Sequence, residues 1–254
     1  RRRRKMKTGT YDAYEPQLQL HAIDRDIWLV DGPVLYWGYG VPVEWPFPTR
    51  MTIIRLPQGG LWLHSPVKPD DKLVAAVKAL GPVEHIVSPN RIHHVSIGAW
   101  AELFPDARLW ASPGVRGRSK LVFTDDLDDT PPEEWSQVID QRIARGSPAL
   151  EEAVFFHKPS STLILADLIE NFESDRLHGW LARIMYRLIG VVAPNGKAPR
   201  DLRATFVGNH DKLAPVVEWM IASAPQRIVI AHGQWFRTNG TAVLQRAFDW
   251  VKRG

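Results

Sequence analysis

From Met51 to Ser112 the chain alternates short apolar runs with amphipathic ones, and that order narrows the fold more than any other feature. "MTIIRL" (51–56), a turn at "PQGG" and "LWLHS" (61–65) read as a β-hairpin. "KPDDKLVAAVKALG" (68–81) reads as a helix, with acids at its start, Leu73, Val74, Val77 and Leu80 on one face, and Gly81 as a stop. "VEHIVS" (83–88) reads as a buried strand, "IGAWAELFP" (97–105) as a short helix closed by proline, and "ARLWAS" (107–112) as a further strand. Strands and helices taken in turn build layers, so an α/β fold is expected.

The remainder carries the same grammar. "DIWLVDG" (26–32) and "VLYWGYG" (34–40) are strand-like, whereas the three prolines of "VPVEWPFP" (41–48) predict an ordered loop with aromatic anchors. The acidic "TDDLDDTPPEEW" (124–135) lacks the glycine turn and closing glutamate of a calcium loop and reads as solvated loop. "EEAVFFHKPSSTLILADLI" (151–169) predicts a hairpin, and "LHGWLARIMYRLIG" (177–190) a strongly apolar amphipathic helix. "KLAPVVEWMIASA" (212–224), "RIVIAHG" (227–233) and "TAVLQRAFDWVKR" (241–253) predict helix, buried strand and closing helix.

Composition removes several classes of chemistry. There is no cysteine, so disulfides, thiolate metal sites and cysteine nucleophiles are out, and a reducing cytoplasm is the expected compartment. Net charge is +4, yet six of the first seven residues, "RRRRKMK", are basic, which leaves the body slightly acidic. Residues 1–16 are accordingly read as a flexible basic arm and 17–254 as one domain, with the arm as solvated chain rather than a nucleic-acid binder. No stretch approaches the ~18–20 apolar residues of a membrane span, and no apolar signal core follows the arm. No G-x-S-x-G elbow, P-loop or dinucleotide fingerprint is present. "GNHDK" (208–212) is read as a helix start with Asp211 as cap, and His210 as a candidate cleft residue.

The chemistry collects at strand ends. "VEHIVS" leads into "SPNRIHHVSIG", with His93 and His94 side by side; "TLILAD" ends on Asp167; "RIVIAHG" ends near His232. Ends of neighbouring strands in such a sheet share one rim, where ligands bind. An aspartate closing an apolar strand needs a partner: a metal, an arginine or a helix N-terminus.

The ordered set resembles the metallo-β-lactamase superfamily over roughly residues 25–250. The resemblance implies an αβ/βα sandwich and lays "SPNRIHH" on the T-H-x-H-x-D-H loop, with a pattern similar to a divergent bacterial branch carrying an N-x-x-H-H loop. On that alignment Pro89, Arg91 and Pro148 replace the three histidines of the first metal site, and Ser65 stands where the family has an aspartate. Proline and arginine cannot act as imidazole ligands. The second site survives as His93, His94, Asp167 and His232, which implies one divalent ion, zinc or iron, with water activated there. Arg91, Asn90 and His210 are the expected contacts to a small-molecule substrate: an ester, lactone, amide or phosphoester. A metal-free, catalytically silent binding protein and a mononuclear iron redox protein are the alternatives.

Overall fold

The computed structural model describes residues 6–38 and 43–251. Residues 1–5 of the basic arm, 39–42, where the expected strand 34–40 meets the expected loop 41–48, and 252–254, where the expected helix 241–253 ends, lie outside the described residues. In chain order come β1 (Met6–Lys7), β2 (Thr10–Tyr11), β3 (His21–Asp24), β4 (Ile27–Trp37), β5 (Val43–Arg55) and β6 (Leu61–His64). Then follow α1 (Asp71–Leu80), β7 (Val83–Ser88), α2 (Ile97–Leu103), β8 (Arg108–Ala111), β9 (Asp125–Asp126), α3 (Glu133–Ser136) and β10 (Ile139–Ala144). The last third contains β11 (Glu152–His157), β12 (Thr162–Ile164), β13 (Leu177–His178), α4 (Trp180–Ile189), α5 (Arg200–Ala204), α6 (His210–Ala222), β14 (Arg227–Val229) and α7 (Gly240–Ala247).

Two sheets carry the molecule. The larger runs β3-β4-β5-β6-β7-β8-β9, with β1 added to β5; the smaller runs β10-β11-β12-β14. A two-stranded ribbon joins β2 to β13. Alternation within each strand decides which layer a side chain enters. In β6, Leu61 and Leu63 face the core shared with α1 and α2, while Trp62 between them faces the other sheet. Ile27, Leu29, Trp62, Val87 and Trp110 of the first sheet meet Ile139, Ile143, Phe155, Ile164 and Val229 of the second. On the far side of the second sheet Leu213, Val217 and Met220 of α6 and Val243 and Leu244 of α7 complete another core. The order is therefore helices, sheet, sheet, helices. Strands covered on both faces read as continuous apolar runs, which is why "RIVIA" and "TLILA" show no polar alternation.

Local signals account for the element ends. The Asp70 side chain accepts the Leu73 N–H at 2.7 Å and caps α1. β12 and β14 pair in parallel, which brings the chain after Asp167 and the chain around His232 to one rim.

Three expectations change. The proline-rich 43–48 segment is strand, not loop: Trp45, Pro46 and Phe47 pair with Trp37, Tyr36 and Leu35 of β4. β6 covers β5 only from Thr52 onward, so Pro46 and Pro48 sit beyond the reach of that neighbour and need not donate to it. Residues 6–16 of the arm are ordered: β1 pairs with β5, β2 pairs with β13, and Tyr11 is buried against Phe172 and Tyr186. Finally α6 starts at His210 with Asn209, not Asp211, at the cap position.

Candidate metal centre

Three loops converge at the rim. The turn after β7 delivers Asn90 and His93, the turn after β12 delivers Asp167 and Glu170, and the turn after β14 delivers His232. His93 Nε2 lies 3.1 Å from Asp167 Oδ2, and His232 Nε2 lies 3.2 Å from Asp167 Oδ1. One donor atom from each of the three side chains falls within 4.8 Å of the others.

The far side of each imidazole is also held. His232 Nδ1 lies 2.7 Å from the carbonyl of Pro48, and a carbonyl can only accept, so this nitrogen carries the proton. In the neutral ring Nε2 is then a bare lone pair pointing at a carboxylate oxygen. That arrangement is repulsive unless a proton or a cation lies between them. His93 Nδ1 is held by the Ser65 hydroxyl at 2.6 Å. Ser65 itself sits at φ 52°, a left-handed conformation that costs a non-glycine residue strain.

Asp167 is buried, as are the groups that fix it. Asn90 donates from Nδ2 to Asp167 Oδ2 at 2.7 Å and to Glu152 Oε2 at 3.1 Å. Its Oδ1 accepts the N–H groups of Ile92 and His93 at 3.0 and 3.2 Å, which shapes the turn. Glu152 accepts the N–H groups of Ala166 and Asp167 at 2.8 and 2.7 Å. Burial acts to raise the Asp167 carboxyl, but His93 and His232 prevail and hold it far below the usual carboxylate range. Burial and then Asp167 push Glu152 up to about 7. Glu170 goes well above the ordinary value through burial first, then Asp167, Asp201 and Glu152.

Arg50 pins the His232 turn. Its Nη1 donates to the carbonyls of Ile230 and Gly233 at 3.0 and 2.8 Å, either side of His232, while Nη2 pairs with Asp31 at 2.7 Å. Gly233 has φ 90°, and a Cβ there would lie 2.2 Å from the Asn171 carbonyl. Only glycine lets this turn pass so close to the segment carrying Glu170.

Two cavities meet on this floor. One of about 310 Å³ is walled by Leu35, Phe47, Val67 and Val95 and reaches His93, Asp167, Glu170 and His232. The other, about 340 Å³, is lined by Arg91, Arg118, Leu150 and Leu202 and shares Trp37, Ile92, Asp167 and Glu170 with the first.

Of the four expected ligands, three come together. His94 is outside the group, because the tight turn at 91–96 sends consecutive side chains different ways and only His93 is drawn in by Ser65. Burial lowers the His94 imidazole, and its Nδ1 is enclosed without a partner. Arg91 lines the second cavity and donates to the Pro148 carbonyl at 3.3 Å. Asn90 is fully buried and holds Asp167 from behind rather than facing a cavity. His210 packs edge-on against Trp250, 5.5 Å between ring centres, and lines neither cavity. Sequence reasoning passed over Glu152, Glu170 and Arg50. Glu152 opens the apolar "EEAVFFH" run and Glu170 stands three residues after Asp167, and a carboxylate inside an apolar stretch was the available signal.

Residues 39–178, more than half of the chain, match the model of a family described as Domain of unknown function (DUF4336). The chain belongs to the DUF4336 family. Curated proteins give no significant match to its sequence. In structure this DUF4336 chain is similar to the DIM-1 metallo-β-lactamase, with TM-score 0.62 at 11% identity over 95% of this chain and 99% of that one. It is likewise similar to a metallo-β-lactamase from Pontibacter korlensis, TM-score 0.60 at 11% identity, over 93% and 99% of the two chains. FIM-1 from Pseudomonas aeruginosa, solved in a mono-zinc form, gives TM-score 0.60 at 10% identity over 92% and 95%. The DUF4336 chain thus has the metallo-β-lactamase fold, with a His/Asp group able to hold a metal at its rim.

Proposed function

We propose that the protein is a metal-dependent hydrolase with a single-metal site held by His93, Asp167 and His232. The observation that carries this reading is the pair of imidazole Nε2 atoms set 3.1 and 3.2 Å from opposite oxygens of one buried carboxylate. One donor atom from each of the three side chains lies within 4.8 Å of the others, close enough for them to converge on one ion. Two nitrogens and one oxygen suit zinc or ferrous iron, and three protein ligands leave a position for water or substrate. A bound divalent ion would supply Lewis acidity and a water acidified toward neutral pH.

The chain's own groups fit hydrolysis. Glu170, 4% exposed and lining both cavities, is placed to exchange a proton with a leaving group. The apolar cavity suits the body of a substrate, and Arg91 with Arg118 suits an anionic group on it. Esters, lactones, amides and phosphoesters all meet that description. Asn90 and Glu152 position Asp167 and do not touch substrate.

A catalytically silent binding protein is the second reading, favoured by one observation: Asn90 donates to Asp167, and protonated His93 and His232 rings would satisfy the rest of its carboxylate. Elemental analysis of protein purified without chelator or nickel resin separates the two. Near-stoichiometric zinc or iron, lost in His93→Ala and His232→Ala, supports the hydrolase. No metal after reconstitution supports the binding protein, and a coloured iron-loaded preparation directs the assays to redox chemistry.

A further inference from the structure

Helix α4 turns an apolar stripe outward. Trp180, Ile184 and Leu188 recur every fourth residue, which places them on one face, and they are 75%, 47% and 56% exposed. Ala182 and Tyr186 bury the opposite face, and the Tyr186 hydroxyl donates to the Pro46 carbonyl at 2.6 Å. The helix is therefore fixed in place with its apolar stripe left in solvent, the reverse of an ordinary surface helix.

Positive charge flanks the stripe along the helix, while acids stand beyond its ends, Asp12 paired with His178 at 2.8 Å and Asp201 next to Arg200. Arg183 and Arg187 stand among its members, both exposed, and neither forms an ion pair among the described residues. From Leu177 to Arg200 the sequence contains no Asp or Glu. Arg200 and Arg203 close in on the helix's C-terminal end, within 3.8 and 3.4 Å of where a Cβ on Gly190 would sit. At the other end, a Cβ on Gly9 would lie 2.0 Å from the His178 carbonyl and 3.0 Å from Ala182. That contact seats the segment following "RRRRKMK" against the start of α4. Two acid-free stretches of sequence thus meet at one helix.

We infer that this face docks on an anionic lipid bilayer, with Trp180, Ile184 and Leu188 entering the acyl boundary and the arginines at headgroup level. Tryptophan favours that boundary, and cations beside a negatively charged leaflet gain from its surface potential. Nucleic-acid phosphates would reward the arginines but give three large apolar side chains no partner. A second copy docked through a two-fold axis would set arginine against arginine.

The test is flotation of the full chain with phosphatidylcholine vesicles and with equimolar phosphatidylcholine–phosphatidylglycerol vesicles, at low and high salt. Binding to the anionic vesicles alone, weakened by salt, is expected. Arg183→Gln and Arg187→Gln should each lower partitioning roughly fivefold, and Ile184→Gln and Leu188→Gln roughly tenfold each, with unchanged far-ultraviolet circular dichroism. Absence of binding to anionic vesicles overturns the inference. So does binding that ignores the helix variants and vanishes only when residues 1–5 are replaced by serine. Tight, salt-sensitive binding to a DNA or RNA duplex with none to vesicles, or a concentration-dependent dimer abolished by Ile184→Gln, would equally overturn it.

Discussion

The hydroxyl of Ser65 lies 2.6 Å from Nδ1 of His93 and turns the opposite nitrogen of that ring toward Asp167. Ser65 occupies the position where the resemblance led us to expect an aspartate, and it does the orienting with a shorter, neutral side chain in a left-handed backbone conformation. Ser65→Ala should lower metal affinity about 10- to 100-fold, as losses behind a ligand commonly do. Ser65→Gly should lose the same affinity while keeping or raising the melting temperature, because glycine relaxes φ 52°. Metal titration of both variants checks this; unaltered affinity in both would remove Ser65 from the site.

Asn90 separates two carboxylates. Asn90→Ala leaves buried acceptors and donors unpaired and should cost about 1–3 kcal/mol. Asn90→Asp instead sets a third carboxylate against Glu152 and Asp167 and should cost more, roughly 3–5 kcal/mol. Denaturant unfolding of the two variants gives the comparison, and the opposite ranking would contradict the network.

Arg50 is 3% exposed and spreads one guanidinium over two carbonyls and a carboxylate. Lysine has a single nitrogen and cannot reproduce the fork. Arg50→Lys should destabilise the chain by about 3 kcal/mol and weaken metal binding through a displaced His232 turn. In a double-mutant cycle with His232→Ala the two affinity losses should be far from additive; simple additivity would show that Arg50 does not act through His232.

Three buried histidines make the fold acid-sensitive. Burial, the largest cause in each case, lowers His64 to about 3 and His85 and His157 to about 4. The unfolded imidazoles titrate near 6.5, so above that pH both states are neutral and the stability is whole. As pH falls from about 6.5 toward 4 the unfolded chain takes protons the folded chain refuses, and stability drops by up to about 3 kcal/mol for each histidine. Glu152, raised to about 7, acts in the other direction: its burial costs stability as pH climbs from about 4.5 to 7. His157 Nδ1 meets the Ser160 hydroxyl at 2.7 Å, so His157→Asn can keep that bond without an ionisable ring. Melting temperature against pH should fall less steeply below 6.5 in this variant; an unchanged profile would assign the acid loss elsewhere.

The layers were legible because they follow from periodicity. The Leu73/Val77 stripe, the acids at the start of α1 and the doubly covered runs at β7, β12 and β14 are local signals that tertiary packing reinforces. The prolines at 46 and 48 misled because proline reports a missing N–H, not whether a neighbouring strand asks for one. At the site, strand ends pointed to His93, Asp167 and His232, since topology alone brings them to one rim. That His94 would not join them depends on side-chain direction within a single turn, which spacing does not encode. Glu152, Glu170 and Arg50 were hidden for another reason. Glu152 and Glu170 border apolar runs, but so do many exposed charges, and only the packed structure shows these two and Arg50 enclosed.

The parallel pairing of β12 with β14 also sets an order in time. Asp167 leaves the ribosome more than sixty residues before His232, and in the interval its charge has one imidazole where the finished protein has two. The carbonyls gripped by Arg50, at Ile230 and Gly233, arrive with that same late strand. Before Arg227 emerges, the rim lacks His232 and β12 lacks the strand it pairs with in parallel. A chain at that stage leaves an apolar sheet edge exposed until β14 pairs with β12.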